Sequence, residues 1–242
     1  MNRFYFPTLN YSDSEIIVEG DEAHHIISVM RKSTGEMIEV SDGEGQIIEC
    51  EIISIKKKQV FCRVLNRFHL DKEKPQFKFL VPVLKNPNRF EFMLEKLTEL
   101  GVHEIIPFVS ENSMRVSDKN SRWKKVLISA MKQSHVDFLP NLHLLSNFNE
   151  IITQINLSNS LIFHGDVEGE HPGELRLQKK ISETESIYLA IGPEGDFSEE
   201  EKKILRSINS IPVKLSNNRL RSETAAIALM TLIKNLKPEA SQ

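Results

Sequence analysis

Three short stretches of the 242-residue chain carry residue types that could hold a ligand: His164-Gly165-Asp166, Ile191-Gly192-Pro193-Glu194-Gly195-Asp196, and Leu215 through Ala225. A glycine in such a turn tolerates positive φ and, lacking a Cβ, lets main-chain amides and carbonyls come close to a bound molecule. Pro193 can neither donate a hydrogen bond nor continue a strand, so the chain must turn there. The third stretch sets Arg219, Arg221 and Glu223 among Leu215, Ser216, Leu220, Thr224 and Ala225, which is more charge than a bare connector needs. The plain alternative is three ordinary connections whose glycines serve geometry alone. Phosphate-anchored nucleotide chemistry is disfavoured, because no Gly-x-x-x-x-Gly-Lys-Ser/Thr occurs and no Gly-x-Gly-x-x-Gly follows a strand.

The elements around these stretches decide whether they can meet. Ile187 to Ile191 is an apolar run that reads as a strand buried on both faces. After the turn, Ser198 and Glu201 have the spacing of a capping box at a helix start. Ile211 to Leu215 is a second strand, followed by a polar loop and a helix from about Glu223 to Leu236. Upstream, Phe77–Val83 and His103–Val109 read as strands. Between them a helix capped by Asn88 carries the stripe Phe90, Met93, Leu94, Leu97 and Leu100, with Gly101 to end it. A basic helix over about 121–135, a short one over 147–155 and a strand at Leu161–Phe163 continue the alternation. Such alternation predicts an α/β domain with a mainly parallel sheet. Ligands collect at the carboxyl ends of strands in such sheets, so the three stretches become walls of one expected pocket.

Residues 1–72 read differently, as a small β-rich module, with a charged linker at Leu70–Pro75 marking the boundary to a second domain over 73–242. A short helix is expected from Glu22 to Met30, with Asp21 as its cap. His24 and His25 are adjacent, so on a helix they diverge by about 100° and make a poor metal pair. Arg3, His24 and Arg31 could instead grip a polyanion. Cys50 and Cys62 lack metal-ligand spacing; a hairpin around Lys56 would set them opposite each other as reduced, buried thiols.

Bulk properties narrow the class. Apolar residues at 40% and charged residues at 27% are ordinary for a soluble globular chain. No run nears the roughly 18 apolar residues of a membrane span, and the N-terminus lacks the long apolar core of a signal peptide, so a cytoplasmic location away from membranes is expected. Net charge is −3, but residues 75–145 hold 10 Lys/Arg against 7 Asp/Glu, so any phosphate-binding surface must be local. The final helix is apolar almost all round, through Ala225, Ile227, Leu229, Leu232 and Leu236 among others. One sheet face needs only one stripe, which predicts a second subunit against its other side.

Several segments in order and spacing, Glu95-Lys96-Leu97-Thr98-Glu99-Leu100-Gly101-Val102, Ile191-Gly192-Pro193-Glu194-Gly195 and Leu220-Arg221-Ser222-Glu223-Thr224-Ala225, resemble the RsmE family of bacterial small-subunit ribosomal RNA uridine-N3 methyltransferases, within the SPOUT superfamily. The resemblance implies a PUA-like RNA-binding β-barrel and a C-terminal α/β domain with a trefoil knot. It further implies an S-adenosylmethionine pocket and a homodimer acting on 16S ribosomal RNA, in an assembled subunit. Carried onto this chain, it points to cofactor contacts from His164, Gly165, Ile191, Gly192, Glu194, Gly195, Leu215, Ser216, Leu220, Thr224 and Ala225. Arg3, His24, Arg31, Lys85 and Arg89 are then expected at the RNA. Arg221 would stabilise negative charge on the base, and Glu223 would accept the N3 proton or hold Arg221; the alternative for Glu223 is a helix-start carboxylate satisfying amides. The chain departs from the family at Asp196 and Ser216, usually glycine, and at Asn112, Val136 and Asn218, usually arginine. A non-catalytic RNA-binding or ribosome-associated factor on the same fold is the competing expectation.

Overall fold

The computed structural model describes residues 1–10, 12–110, 119–155, 157–171 and 178–236, with the side chains of 178 and 179 excepted. Asn112 lies outside these. The chain divides into two compact units, Met1–Lys72 with Ile128–Leu139, and Glu73–Leu127 with Pro140–Gln242.

In the first unit β1 (Arg3–Tyr5), β2 (Glu15–Val18), α1 (Gly20–His24), β3 (Met37–Ser41), β4 (Gln46–Lys56) and β5 (Gln59–His69) follow in order. The strands form one sheet, β1-β3-β4-β5-β2, with β1 parallel to β3 and the other pairs antiparallel. All five strands send apolar side chains into one core, from Phe4, Ile16 and Ile38 to Ile48, Cys50, Val60 and Cys62. The expected helix starts earlier and changes form. Glu19 precedes it without a side-chain cap, and from His25 to Val29 it widens into a π-helical turn that ends with Met30 N–H donating to His25 O at 2.9 Å. Arg31 then reverses the chain at φ 52°.

The cysteine pairing also differs from expectation. Lys57 and Lys58 both take positive φ, the conformation of a two-residue hairpin turn that matches strand twist. The turn therefore lies at Lys57-Lys58 rather than at Lys56, and with a bulge between Ile52 and Ser54 taking back one position, Cys50 pairs with Val64 while Cys62 pairs with Ile52. The two thiols are unbridged and buried. A thiol hydrogen bond to Cys62, together with burial, pushes the Cys50 thiol upward from its ordinary value.

The second unit runs β6 (Gln76–Pro82), α2 (Pro87–Glu99), β7 (Glu104–Val109), α3 (Asn120–Ser134, which continues past the division), β8 (Asn141–Leu142), β9 (Ser146–Asn147), α4 (Phe148–Gln154), β10 (Ser160–Glu170), α5 (Gln178–Ser182), β11 (Ser186–Ala190), α6 (Glu199–Ser207), β12 (Ile211–Val213) and α7 (Ser222–Asn235). The sheet order is β12-β10-β11-β6-β7-β8, with β9 also on β7, and every pair is parallel. Phe148, Ile151 and Ile152 of α4 and Leu205 of α6 cluster with Leu80, Ile106, Phe108, Ile162 and Tyr188 of the sheet. Helix α7 packs on β10, β11 and α2.

Local chemistry sets the helix starts. Asn86, not Asn88, caps α2: its Oδ1 accepts from the amides of Asn88 and Arg89, because Pro87, with no N–H to satisfy and φ preset, takes the first helical position. Gly101 follows α2 at φ 76°, as expected of a helix stop. The Ser198–Glu201 capping box forms as the spacing predicts. No helix of the described residues is long and apolar enough to cross a membrane.

Candidate functional site

Strands β10, β11 and β12 are neighbours in the sheet although many residues separate them in sequence, so their carboxyl-end turns converge. Between these turns lies a cavity of about 730 Å³, lined by Gly165, Asp166 and Val167 after the first strand, by Ile191, Gly192, Pro193, Glu194 and Asp196 after the second, and by Lys214 through Ser222 with Ala225 after the third. That volume lies in the range for small-molecule sites. Of the residues expected to meet a cofactor, Gly165, Ile191, Gly192, Glu194, Leu215, Ser216, Leu220 and Ala225 line the wall. Three are not among its lining. His164 is buried beneath the wall, with Nδ1 2.8 Å from Ser210 Oγ, and Gly195 and Thr224 face solvent.

Two glycines of the wall leave no free space for a side chain, although the neighbour at Gly165 is the tip of a flexible side chain and the one at Gly192 is main chain. A Cβ on Gly165 would sit 2.6 Å from Ile191 Cδ1, and one on Gly192 would sit 2.9 Å from the Phe197 amide nitrogen. Neither glycine of the second turn takes the left-handed conformation; Asp196 does, at φ 65°. For a residue with a Cβ this costs about 1 kcal/mol. The Asp196 carboxylate offsets part of that by accepting from the Phe197 amide at 2.8 Å and pairing with Lys202 at 2.9 Å. Ser216, the second departure, accepts from the Asn218 amide at 3.0 Å and so holds the third turn. Beyond Gly165, strand β10 loops out: Gly165 and Glu170 both lie opposite Val213. Val167, on this excursion, is 72% exposed at the cavity wall.

The ionisable groups are arranged otherwise than the sequence suggests. Arg89, at the start of α2, donates through Nε and Nη2 to the two oxygens of Glu223 at 2.8 and 2.6 Å, and its Nη1 lies 3.8 Å from Glu194. Arg89 thus ties the second turn to the start of α7. Glu223 is 8% exposed, and the hydrogen bond from Arg89 holds its carboxyl below the ordinary range despite burial. Arg221 is exposed, lines the cavity and makes no ion pair with Glu223. Burial pushes the His164 imidazole down, against the opposing pull of Asp166.

The expected RNA contacts are dispersed. In the first unit Arg3 is 8% exposed and bound to Glu39, to Val136 O at 2.9 Å and to Asp137 at 3.0 Å, so it anchors that unit internally rather than facing outward. His24 and Arg31 are exposed, as is Lys85 in the second unit. Val136 contributes its carbonyl to that anchor. Sequence reasoning missed the Arg89–Glu223 clamp, whose partners are 134 residues apart. Lys214 and Val167 carried no motif.

Residues 72–234 match the RNA methyltransferase domain family and residues 18–65 match the RNA methyltransferase PUA domain family. The chain is similar to Ribosomal RNA small subunit methyltransferase E of Bacillus subtilis, at 26% identity over 89% of this chain and 88% of that one. Among solved structures it resembles a Ribosomal RNA small subunit methyltransferase E from Neisseria gonorrhoeae bound to S-adenosyl methionine, with TM-score 0.87, 25% identity and 98% of both chains covered. A probable rRNA-methyltransferase from Porphyromonas gingivalis matches with TM-score 0.85 and 28% identity, again over 98% of both.

Proposed function

The chain belongs to the RNA methyltransferase family, and from that premise we propose that it is an enzyme moving a methyl group from S-adenosylmethionine to N3 of a uridine in 16S ribosomal RNA. The observation that carries this reading is the convergence of three strand-end turns, two of them with glycines no Cβ could replace without displacement, on one cavity. Main-chain groups at Gly165, Gly192 and Leu215 to Leu220, with apolar cover from Ile191, Leu215 and Ala225, suit an amphipathic ligand such as an adenosine. The donor's sulfonium supplies an already activated methyl group when it is bound.

What is left to the chain is alignment, charge and a proton. Uracil N3 carries a proton and becomes a good nucleophile on losing it. Arg221, on the wall and without an ion-pair partner among the described residues, stabilises the negative charge that develops on the base. Glu223 has both oxygens committed to Arg89 and a depressed pKa, so it acts as the fixed end of a clamp, and the proton passes to solvent. Residues 1–72, joined in one compact unit by 128–139 rather than ending at the linker, form the RNA-binding PUA-like domain, with His24 and Arg31 as exposed contacts, and the rest of 73–242 forms the catalytic domain, with Lys85 beside the cavity's strand ends.

A trefoil knot at the C-terminus is carried into this reading from the family resemblance. A homodimer through α7 is supported by Ile227, Ala228 and Leu232, which remain half-buried in the single chain. The substrate is the small subunit in assembled form, in the cytoplasm. Mass mapping of ribosomal RNA from cells with and without the protein tests the central proposal: one uridine should lose a base methyl in its absence, and identical maps would refute it.

A further inference from the structure

The cavity wall holds four cationic side chains, Arg89, Lys214, Arg219 and Arg221, and only Arg89 has a carboxylate partner among the described residues. The acidic groups on the same wall are already occupied. Asp166 accepts from the Glu168 amide at 2.9 Å, Glu194 faces Arg89 and the Lys85 amide, and Asp196 holds Lys202. Lys214 is half-buried as a residue and stands on the wall with no carboxylate partner among the described residues, so its ammonium is available to an anion that enters there. The backbone that carries the three cations is fixed at two points, by the Lys214 amide on Glu170 O at 2.9 Å and the Asn218 amide on Ser216 Oγ. In a chain of net charge −3, three unpaired cations on one eight-residue segment form a local positive field.

We propose that Lys214 and Arg219 form, beside Arg221, a phosphate clamp that grips the RNA backbone next to the target nucleotide. This rests on the methyl-transfer reading above. The methyl donor carries a single carboxylate, whereas consecutive phosphodiesters present one charge per nucleotide, which matches a row of cations. Lys214 and Arg219 are positioning residues: they hold the strand and leave the reacting atoms to others.

The test uses Lys214→Gln and Arg219→Gln, singly and together, in the otherwise unchanged protein with assembled small subunits as the RNA substrate. The slope of log affinity against log salt should fall by about 0.7 to 0.9 for each cation removed. Between about 50 and 200 mM salt the wild type should then lose about threefold more affinity than either single variant. KM for RNA should rise with kcat unchanged, Lys214→Arg should restore the slope, and S-adenosylmethionine binding measured by calorimetry should stay within twofold. A wild-type salt slope in the double variant would overturn the clamp. So would a Lys214→Gln variant that loses donor binding with its RNA slope intact, since that assigns Lys214 to the donor's carboxylate. Absence of methyl transfer by the wild type would sink the enzymatic reading instead, and is scored separately.

Discussion

Replacing Glu223 by glutamine keeps its size and removes its charge, which separates a clamp from a proton acceptor. Two charge-assisted hydrogen bonds, at 2.8 and 2.6 Å, are lost or weakened, and the Arg89 guanidinium is left facing a neutral amide. Breaking a fully buried pair costs about 3–5 kcal/mol and a surface pair about 0–1. Here the Glu223 side chain is 10% exposed and that of Arg89 26%, so the expected loss is about 1.5–3 kcal/mol at neutral pH, near that of a hydrogen bond to a charged group. Because the folded carboxyl titrates below its unfolded value, the stabilisation is complete above the unfolded pKa and fades as pH falls through the folded one. The wild-type advantage over Glu223→Gln should therefore shrink in acid. Urea unfolding at pH 7 and pH 4 measures it. The double variant Arg89→Gln/Glu223→Gln should recover part of the loss, since neither end of the bidentate pair then carries an unmatched charge and only the longer 3.8 Å contact to the partly exposed Glu194 goes with it. Additive single losses, or a Glu223→Gln protein as stable as wild type at pH 7, would refute the clamp. A pH–rate profile in which a limb near neutrality disappears with the substitution would return Glu223 to the role of base.

Three further outcomes follow from the geometry. Arg221→Ala should lower kcat by about 10²–10³ with donor binding preserved, the scale for removing one stabiliser of developing charge; calorimetry and single-turnover methylation check both halves. Gly192→Ala drives a Cβ to 2.9 Å from the Phe197 main-chain nitrogen, which cannot swing aside as a side chain can, and should weaken donor binding at least tenfold by calorimetry with little change in RNA affinity. Glu104, held at about 2 by its hydrogen bond to His143 and by Lys78, should contribute about 1–2 kcal/mol after solvent screening. That contribution is present above the unfolded carboxyl pKa and lost as pH falls toward 2, so Glu104→Gln should flatten the acid limb of a stability curve.

The alternation of apolar runs and helical stripes made the parallel sheet readable, because strands buried on both faces leave an uninterrupted apolar signature. The capping box at Ser198 and Glu201 was equally plain, being local chemistry at fixed spacing. Local rules failed where a neighbour changed the outcome by one or two positions. Pro87 moved the α2 cap from Asn88 to Asn86, and the paired left-handed lysines, with the bulge between Ile52 and Ser54, moved the cysteine register by two. Adjacency was the least legible property. That β10, β11 and β12 stand side by side, and that Arg89 meets Glu223, are facts of tertiary pairing, and charge counts along the chain hold no trace of them. Arg3 shows the same limit, since its type suggested an outward cation while its surroundings consume it.

The first unit recruits residues 128–139, and this has a consequence for the order of synthesis. When the ribosome has released the first 72 residues, Arg3 has Glu39 but neither Val136 nor Asp137, and Glu22 lacks Lys132. Gly43 likewise waits for the Leu139 amide that its carbonyl accepts. The five strands of the N-terminal sheet all lie within residues 3–69, but the unit built on them is not closed until translation has passed residue 139, well into the making of the other unit.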